Sequence, residues 1–139
     1  MLLLVLSAIF CTTLSTALDI PDGMATDMMK EVTGCIDKTK IDFELLLKLK
    51  EGVFEDNPKV KEFLVCLYKN LGGFNGNNEL QTDFIKQKMQ MVSGESKIVD
   101  EIVKKCVIQK KTPEETAFEC SKCVYNALPE EEKKSMKET

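Results

Sequence analysis

The residues best suited to chemistry are Cys120 and Cys123, inside "TPEETAFECSKCVYNALPE" at 112–130. A C-x-x-C can exchange electrons, hold a metal, or be two unrelated thiols on one helix. Redox motifs place the reactive thiol at a helix N-terminus after a strand, where the thiolate is favoured. Here Thr112, Pro113 and Glu115 read as a capping box that opens a helix, so both thiols fall one or more turns past the cap. No strand pattern precedes them, and Glu114, Glu115 and Glu119 disfavour a thiolate. A structural zinc needs four ligands, usually as two close pairs. The other cysteines stand alone, with 13 residues between Cys106 and the pair and 39 between Cys66 and Cys106, and there is no histidine. No metal or other cofactor is expected. Disulfides between helices remain. Residues three apart on a helix point roughly the same way and cannot both bridge one partner. One of Cys120 and Cys123 should therefore pair, and spacing does not choose between them.

The compartment supports disulfides. The first 17 of 139 residues, "MLLLVLSAIFCTTLSTA", carry no charged side chain. An apolar block ends in small residues at Ser15 and Ala17, which reads as a signal peptide over 1–17 and a domain over 18–139. The block is short for a bilayer span. Cleavage would remove Cys11 and leave five cysteines: two bridges and one free thiol. The net charge of −4 gives no sign of nucleic-acid binding, and no stable membrane insertion is expected. Without histidine there is no imidazole base, and no carboxylate pair stands out from surface charge, so no enzyme is expected.

The elements that position these thiols read as helices throughout. Met24, Met28, Val32 and Ile36 form one stripe over about 21–37. A short helix over about 42–50 should turn Phe43, Leu46 and Leu47 inward and stop at Gly52. Asn57 and Pro58 are N-cap and first residue of the next, with Val60, Phe63, Leu64, Leu67 and Leu71 as its stripe. Gly72 and Gly73 end it, and "NGNN" is a turn. Helices over about 79–92 and 95–109 follow, the latter with Ile98, Val99, Ile102, Val103 and Cys106 in register. The last runs from Pro113 until Pro129 closes it. The charged tail from about 130 has no apolar face and should fray.

The spacing of Cys35, Cys66, Cys106 and Cys123, with 30, 39 and 16 residues between them, resembles a known family when read with "CLYKNLGGFN" and "ETAF…KCVY…LP". From about Met24 to Pro129 the chain is similar to the insect odorant-binding proteins, the pheromone-binding and general-odorant-binding family. The family pattern puts further cysteines before its third and its sixth, with three and eight residues between. Those positions hold Glu62 and Glu114. Both halves of one bridge are missing together, as in the four-cysteine, or minus-C, branch.

The resemblance implies an all-α, compact six-helix domain enclosing an apolar cavity, with bridges Cys35–Cys66 and Cys106–Cys123 and a free, buried Cys120. It implies a protein secreted into extracellular fluid that carries a small hydrophobic ligand, an odorant, pheromone or similar semiochemical, with a chemosensory receptor as a further partner. The alternative is the same fold acting through peptide or protein binding. The residues expected to line the cavity are Met28, Leu46, Leu64, Leu67, Phe84, Met89, Val103, Val107, Phe118, Cys120, Val124 and Tyr125, the last either offering its hydroxyl to a polar ligand head or, as is commoner for such a tyrosine, sitting at the rim facing water. Periodicity alone does not separate cavity wall from plain core. Glu62 and Glu114 are expected at the surface rather than as a buried pair.

Overall fold

The structure, a computed structural model, describes residues 22–138. The expected signal peptide lies outside those residues. Among the described residues seven helices follow one another: α1 Asp22–Thr39, α2 Phe43–Lys50, α3 Pro58–Leu71, α4 Thr82–Val92, α5 Ser96–Cys106, α6 Pro113–Ala127 and α7 Glu130–Glu138. Among the described residues there is no strand, only an isolated bridge between Phe74 and Leu80. None of their helices is long and apolar enough to cross a membrane.

Caps set several boundaries. The Asn57 side chain accepts from Lys59 N at 2.8 Å, with Pro58 at the first helical position of α3. Thr112 Oγ1 accepts from Glu115 N at 3.1 Å, which opens α6 as expected. Gly72, at φ 88°, ends α3 in the left-handed region that suits glycine. The helix expected to reach Gln109 stops at Cys106, because the Gln109 side chain serves the loops instead. Its Oε1 accepts from Leu80 N at 2.8 Å, and its Nε2 donates to Asn78 O at 3.2 Å.

The tail corrects an expectation. Instead of fraying, Glu130–Glu138 is a seventh helix with no buried residue. Its order follows from charge. Glu130, Glu131 and Glu132 sit in the first turn and Lys137 in the last, complementing the helix dipole. Lys133 Nζ bonds Glu130 Oε1 at 2.8 Å, one turn apart.

Packing distinguishes two units, residues 1–30 and 31–139. The described part of the first is the start of α1, where Met28 is 40% exposed. In the second, α3 packs against α6, and α5 packs against both α4 and α6. Its interior forms two apolar clusters. One gathers Cys35, Ile41, Leu45, the α3 residues Val60, Phe63, Leu64, Val65 and Cys66, then Phe74, Ala117 and Phe118. The other gathers Ile85, Met89, Val99, Ile102, Cys106, Cys120 and Leu128.

The short helix α2 sits in a different register from the expected one. Leu45 is its buried residue, while Phe43 is 72% and Leu47 45% exposed. Leu46 is half-buried. The run "FELLLKLK" carries two overlapping apolar stripes, and packing on α1 and α3 residues selects the one through Leu45 and Leu49.

The disulfides are Cys35–Cys66, joining α1 to α3, and Cys106–Cys123, joining α5 to α6. Cys120 is free and buried. Each bridge closes a loop of tens of residues, a constraint on the unfolded chain of roughly 3 kcal/mol in the chain-entropy account.

Candidate functional site

The residues expected to wall a cavity are distributed over the two clusters. Leu64 and Phe118 are buried in the first, and Leu46 and Leu67 pack against it. Met89 and Cys120 are buried in the second, with Phe84, Val103, Val107 and Val124 against it. Met28 belongs to the first unit and is 40% exposed. The structure thus gathers ten of these side chains into adjoining apolar sets. Two open grooves, by contrast, are lined by none of them. One, of about 250 Å³, is walled by Lys38, Thr39, Glu62, Val65, Cys66, Lys69 and Glu114. The other, of about 220 Å³, is walled by Ile98, Glu101, Ile102, Lys105 and Ala127. Glu62 and Glu114 are both exposed along the first groove, in the company of Lys38 and Lys69, in the surface placement expected of them.

The two clusters meet at Tyr68 and Leu80, which pack against both. Tyr68 lies one helical turn beyond Leu64 on the inner stripe of α3. Its hydroxyl reaches across to α6 and shares a hydrogen bond of 2.9 Å with Ser121 Oγ. The ring is held by its neighbours. It lies 5.7 Å from the Phe74 ring. A Cβ on Gly73 would come within 3.0 Å of Tyr68 Cδ1 and 3.1 Å of Phe84 Cε1, so the missing side chain lets both rings close on the backbone. The Cys120 thiol lies close enough to the Tyr68 hydroxyl for each to perturb the other's ionisation.

Burial governs the electrostatics here. It pushes the Cys120 thiol above its ordinary range, partly opposed by the Tyr68 hydroxyl. Burial likewise pushes the Tyr68 phenol up, well clear of neutral pH, with the nearby Cys120 adding to the rise and Ser121 opposing it. All three groups are therefore uncharged at neutral pH. The site can bury apolar surface and offer hydroxyl hydrogen bonds. It offers no charge and no activated nucleophile.

Tyr125 occupies another place. Its hydroxyl donates to Glu51 O at 3.2 Å, and its ring lies 6.0 Å from Phe54. Lys133 Nζ of α7 stands 5.8 Å from the ring centroid. The Tyr125 hydroxyl is thus engaged with the loop after α2, in an exposed contact. Tyr68 and Ser121 were not singled out from the sequence. Tyr68 was legible, because it continues the stripe Val60–Leu64 by another turn. Ser121 carries no such signal, since a serine between charged residues reads as helix surface.

A family model described as the PBP/GOBP family matches residues 19–127. The B1 protein of Tenebrio molitor is 33% identical over 95 residues, 68% of this chain and 73% of that protein. Among solved structures, odorant binding protein 5 of Apis mellifera matches with a TM-score of 0.64 at 24% identity, over 76% of this chain and 88% of its own. The THP12 carrier protein from yellow meal worm matches with a TM-score of 0.56 at 33% identity, over 66% of this chain and 84% of its own.

Proposed function

The chain belongs to the PBP/GOBP family, and from that premise we propose that it is a secreted carrier of small hydrophobic molecules, an odorant, pheromone or similar semiochemical. The observation that carries this reading is the pair of apolar clusters meeting at Tyr68 and Leu80. A ligand would enter between them and be walled by Leu64, Leu67, Phe84, Met89, Val103 and Val124. The relative from yellow meal worm is itself named a carrier protein, which supports the same role here. Two disulfides fit an oxidising, extracellular setting. The exposed Glu62 and Glu114 support placement in the four-cysteine branch.

Binding would be burial without bond making. Apolar surface contributes roughly 25 cal/mol per Å² removed from water, so about 300 Å² corresponds to several kcal/mol before association costs. Roughly micromolar affinity follows. Opening the seam requires the side chains of two packed clusters to part. Met89 suits such a wall because its unbranched thioether adapts to irregular shapes.

The test is titration of a naphthylamine-type fluorescent probe into the protein, followed by displacement with a panel of apolar ligands. The expected result is a blue-shifted emission that micromolar ligand reverses. If no probe binds the folded, oxidised protein, the carrier reading fails and the peptide-binding or protein-binding alternative takes its place.

A further inference from the structure

We propose that Asn75 and Gly76 form a self-modification site in the turn between α3 and α4, where the Gly76 backbone nitrogen displaces the Asn75 side-chain amide, and that the product loosens the hold of this turn on the seam between the two apolar clusters. The inference needs no ligand and stands apart from the carrier reading above.

Asn75–Gly76 is the single Asn-Gly pair in the sequence; the other asparagines precede Pro58, Leu71, Asn78, Glu79 and Ala127. Where a side chain follows, its Cβ crowds the backbone nitrogen that would have to attack, and proline has no N–H to lose. Gly76 is exposed, and a Cβ built on it would meet nothing within 4 Å, so solvent base and water reach the reacting atoms. Asn75 Oδ1 accepts from Asn77 N at 2.9 Å and from Glu79 N at 3.0 Å. The ring closed by the first of these bonds contains both Cγ of Asn75 and N of Gly76, so nucleophile and target share one short loop. Two N–H donors on Oδ1 also draw electron density from Cγ and stabilise the negative charge that grows on the oxygen during attack.

The reaction balances with water alone. Gly76 N gives up its proton to solvent and bonds Asn75 Cγ. The bond from Cγ to Nδ2 breaks, and that nitrogen takes a proton from solvent and leaves as ammonia. One water then opens the cyclic imide that remains. Cleavage between Cγ and the Gly76 nitrogen gives an aspartyl residue. Cleavage between that nitrogen and the Asn75 main-chain carbonyl gives an isoaspartyl residue, whose chain runs on through Cγ and is one methylene longer. Either product carries a new carboxylate.

What Asn75 holds decides the effect. Its Nδ2 donates to Glu79 Oε2 at 2.6 Å, and the product has a carboxylate in place of that donor, so attraction becomes like-charge repulsion. Its backbone N donates to Glu79 O at 3.0 Å, and its O accepts from Asn78 N at 3.1 Å. A methylene inserted into the chain after Asn75 Cα shifts Asn78 and Glu79 against these partners. The same turn presents two residues to the interior. Phe74 is buried in the first cluster, and Leu80 packs against both. They pair as an isolated antiparallel bridge, followed inward by the Gln81 N to Gly73 O bond of 2.8 Å. Asn75 and Glu79 are the next pair outward, so their separation opens the bridge from its tip and releases Leu80 where the clusters meet.

The test incubates the oxidised protein at mildly alkaline pH and follows it by anion exchange and by mass mapping of the peptide that spans Asn75. A more acidic species should accumulate, modified at Asn75 and containing isoaspartate. Gly76→Ala should abolish its formation and leave the urea midpoint of fresh protein unchanged, because the Gly76 φ lies outside the left-handed region and the space around it is open. The acidic species, once isolated, should unfold at lower urea than the starting protein. Asn75→Asp should lower the midpoint in the same direction. Adding Glu79→Gln should recover most of that loss, since an amide there can donate to the new carboxylate. If Asn75→Asp does not fold, the species isolated from the wild type decides. A wild type that stays unmodified, modification spread evenly over the other asparagines, an equal rate in Gly76→Ala, or a modified species as stable as the starting protein overturns the proposal.

Discussion

At the scale of single residues, Gly52 shows how a position can be right for one reason and needed for another. In the sequence it is a helix stop. In the structure its φ is 85°, a conformation that disfavours other residues, and a Cβ added there would land in the Tyr125 ring. Tyr125 packs on this glycine, and its hydroxyl bonds Glu51 O. Gly52→Ala should therefore cost about 1–3 kcal/mol, through backbone strain and displacement of the ring. Tyr125→Phe keeps the ring and loses one exposed hydrogen bond, about 0.5–1 kcal/mol. Urea unfolding of both variants measures the difference. If the glycine variant is no less stable than the phenylalanine one, the ring does not depend on the bare backbone. The glycine stop was readable from local chemistry, but its tyrosine partner, more than seventy residues later, was not.

At the scale of elements, the entry to α6 is built from two threonines with different visibility. Thr112 is the N-cap, and its pattern with Pro113 and Glu115 announces it. Thr116 is fully buried, and nothing in the local sequence says so. Its Oγ1 donates to Thr112 O at 2.8 Å and accepts from Lys110 N at 2.9 Å, tying the loop after α5 to the first turn of α6. Thr112→Ala should cost about 1 kcal/mol, as for other caps. Thr116→Val preserves shape but removes the acceptor of the part-buried Lys110 N–H bond and the donor to Thr112 O, and should cost about 1–3 kcal/mol. Thermal unfolding should rank the valine variant below the alanine one, and the reverse order would show that the loop tie carries little. The register of α2 belongs to this scale too. Four leucines within five positions satisfy helical spacing on two faces, so only packing on neighbouring helices decided that Leu45, and not Phe43 or Leu47, turns inward.

At the scale of the whole molecule, stability should be nearly independent of pH from about 5.5 to 8.5. The chain has no histidine, and the resolved shifts among the described residues lie outside that range. On the acid side, the Lys61 ammonium holds the Asp56 carboxyl below its usual value, and Lys133 does the same for Glu130. Stability from a lowered carboxyl is complete above its unfolded pKa and is lost as pH falls through the folded one, which places the loss below about pH 4. On the alkaline side, Cys120 and Tyr68 are raised by burial, and Lys48, Lys61 and Lys86 by hydrogen bonds to carboxylates. Their contribution is complete below the unfolded values and lost as pH rises through the folded ones, so the decline begins above about pH 9. Melting temperatures across pH 3–10 would check this, and a transition near pH 6–7 would contradict it.

The sequence by itself determined what depends on near neighbours and on counting. Caps at Asn57 and Thr112, stops at Gly52 and Gly72, and the helical stripes follow from contacts within a few residues. The cysteine intervals, read through the family resemblance, determined both bridges and the free Cys120. Only the tertiary structure decided which stripes meet. It divided ten of the expected wall residues between two clusters, brought Tyr68 to Ser121, and engaged Tyr125 with Glu51. It also ordered a charged tail that has no apolar face. The physical reason is range: periodicity reports that a side chain faces inward, whereas its partner fifty residues away depends on how whole helices pack.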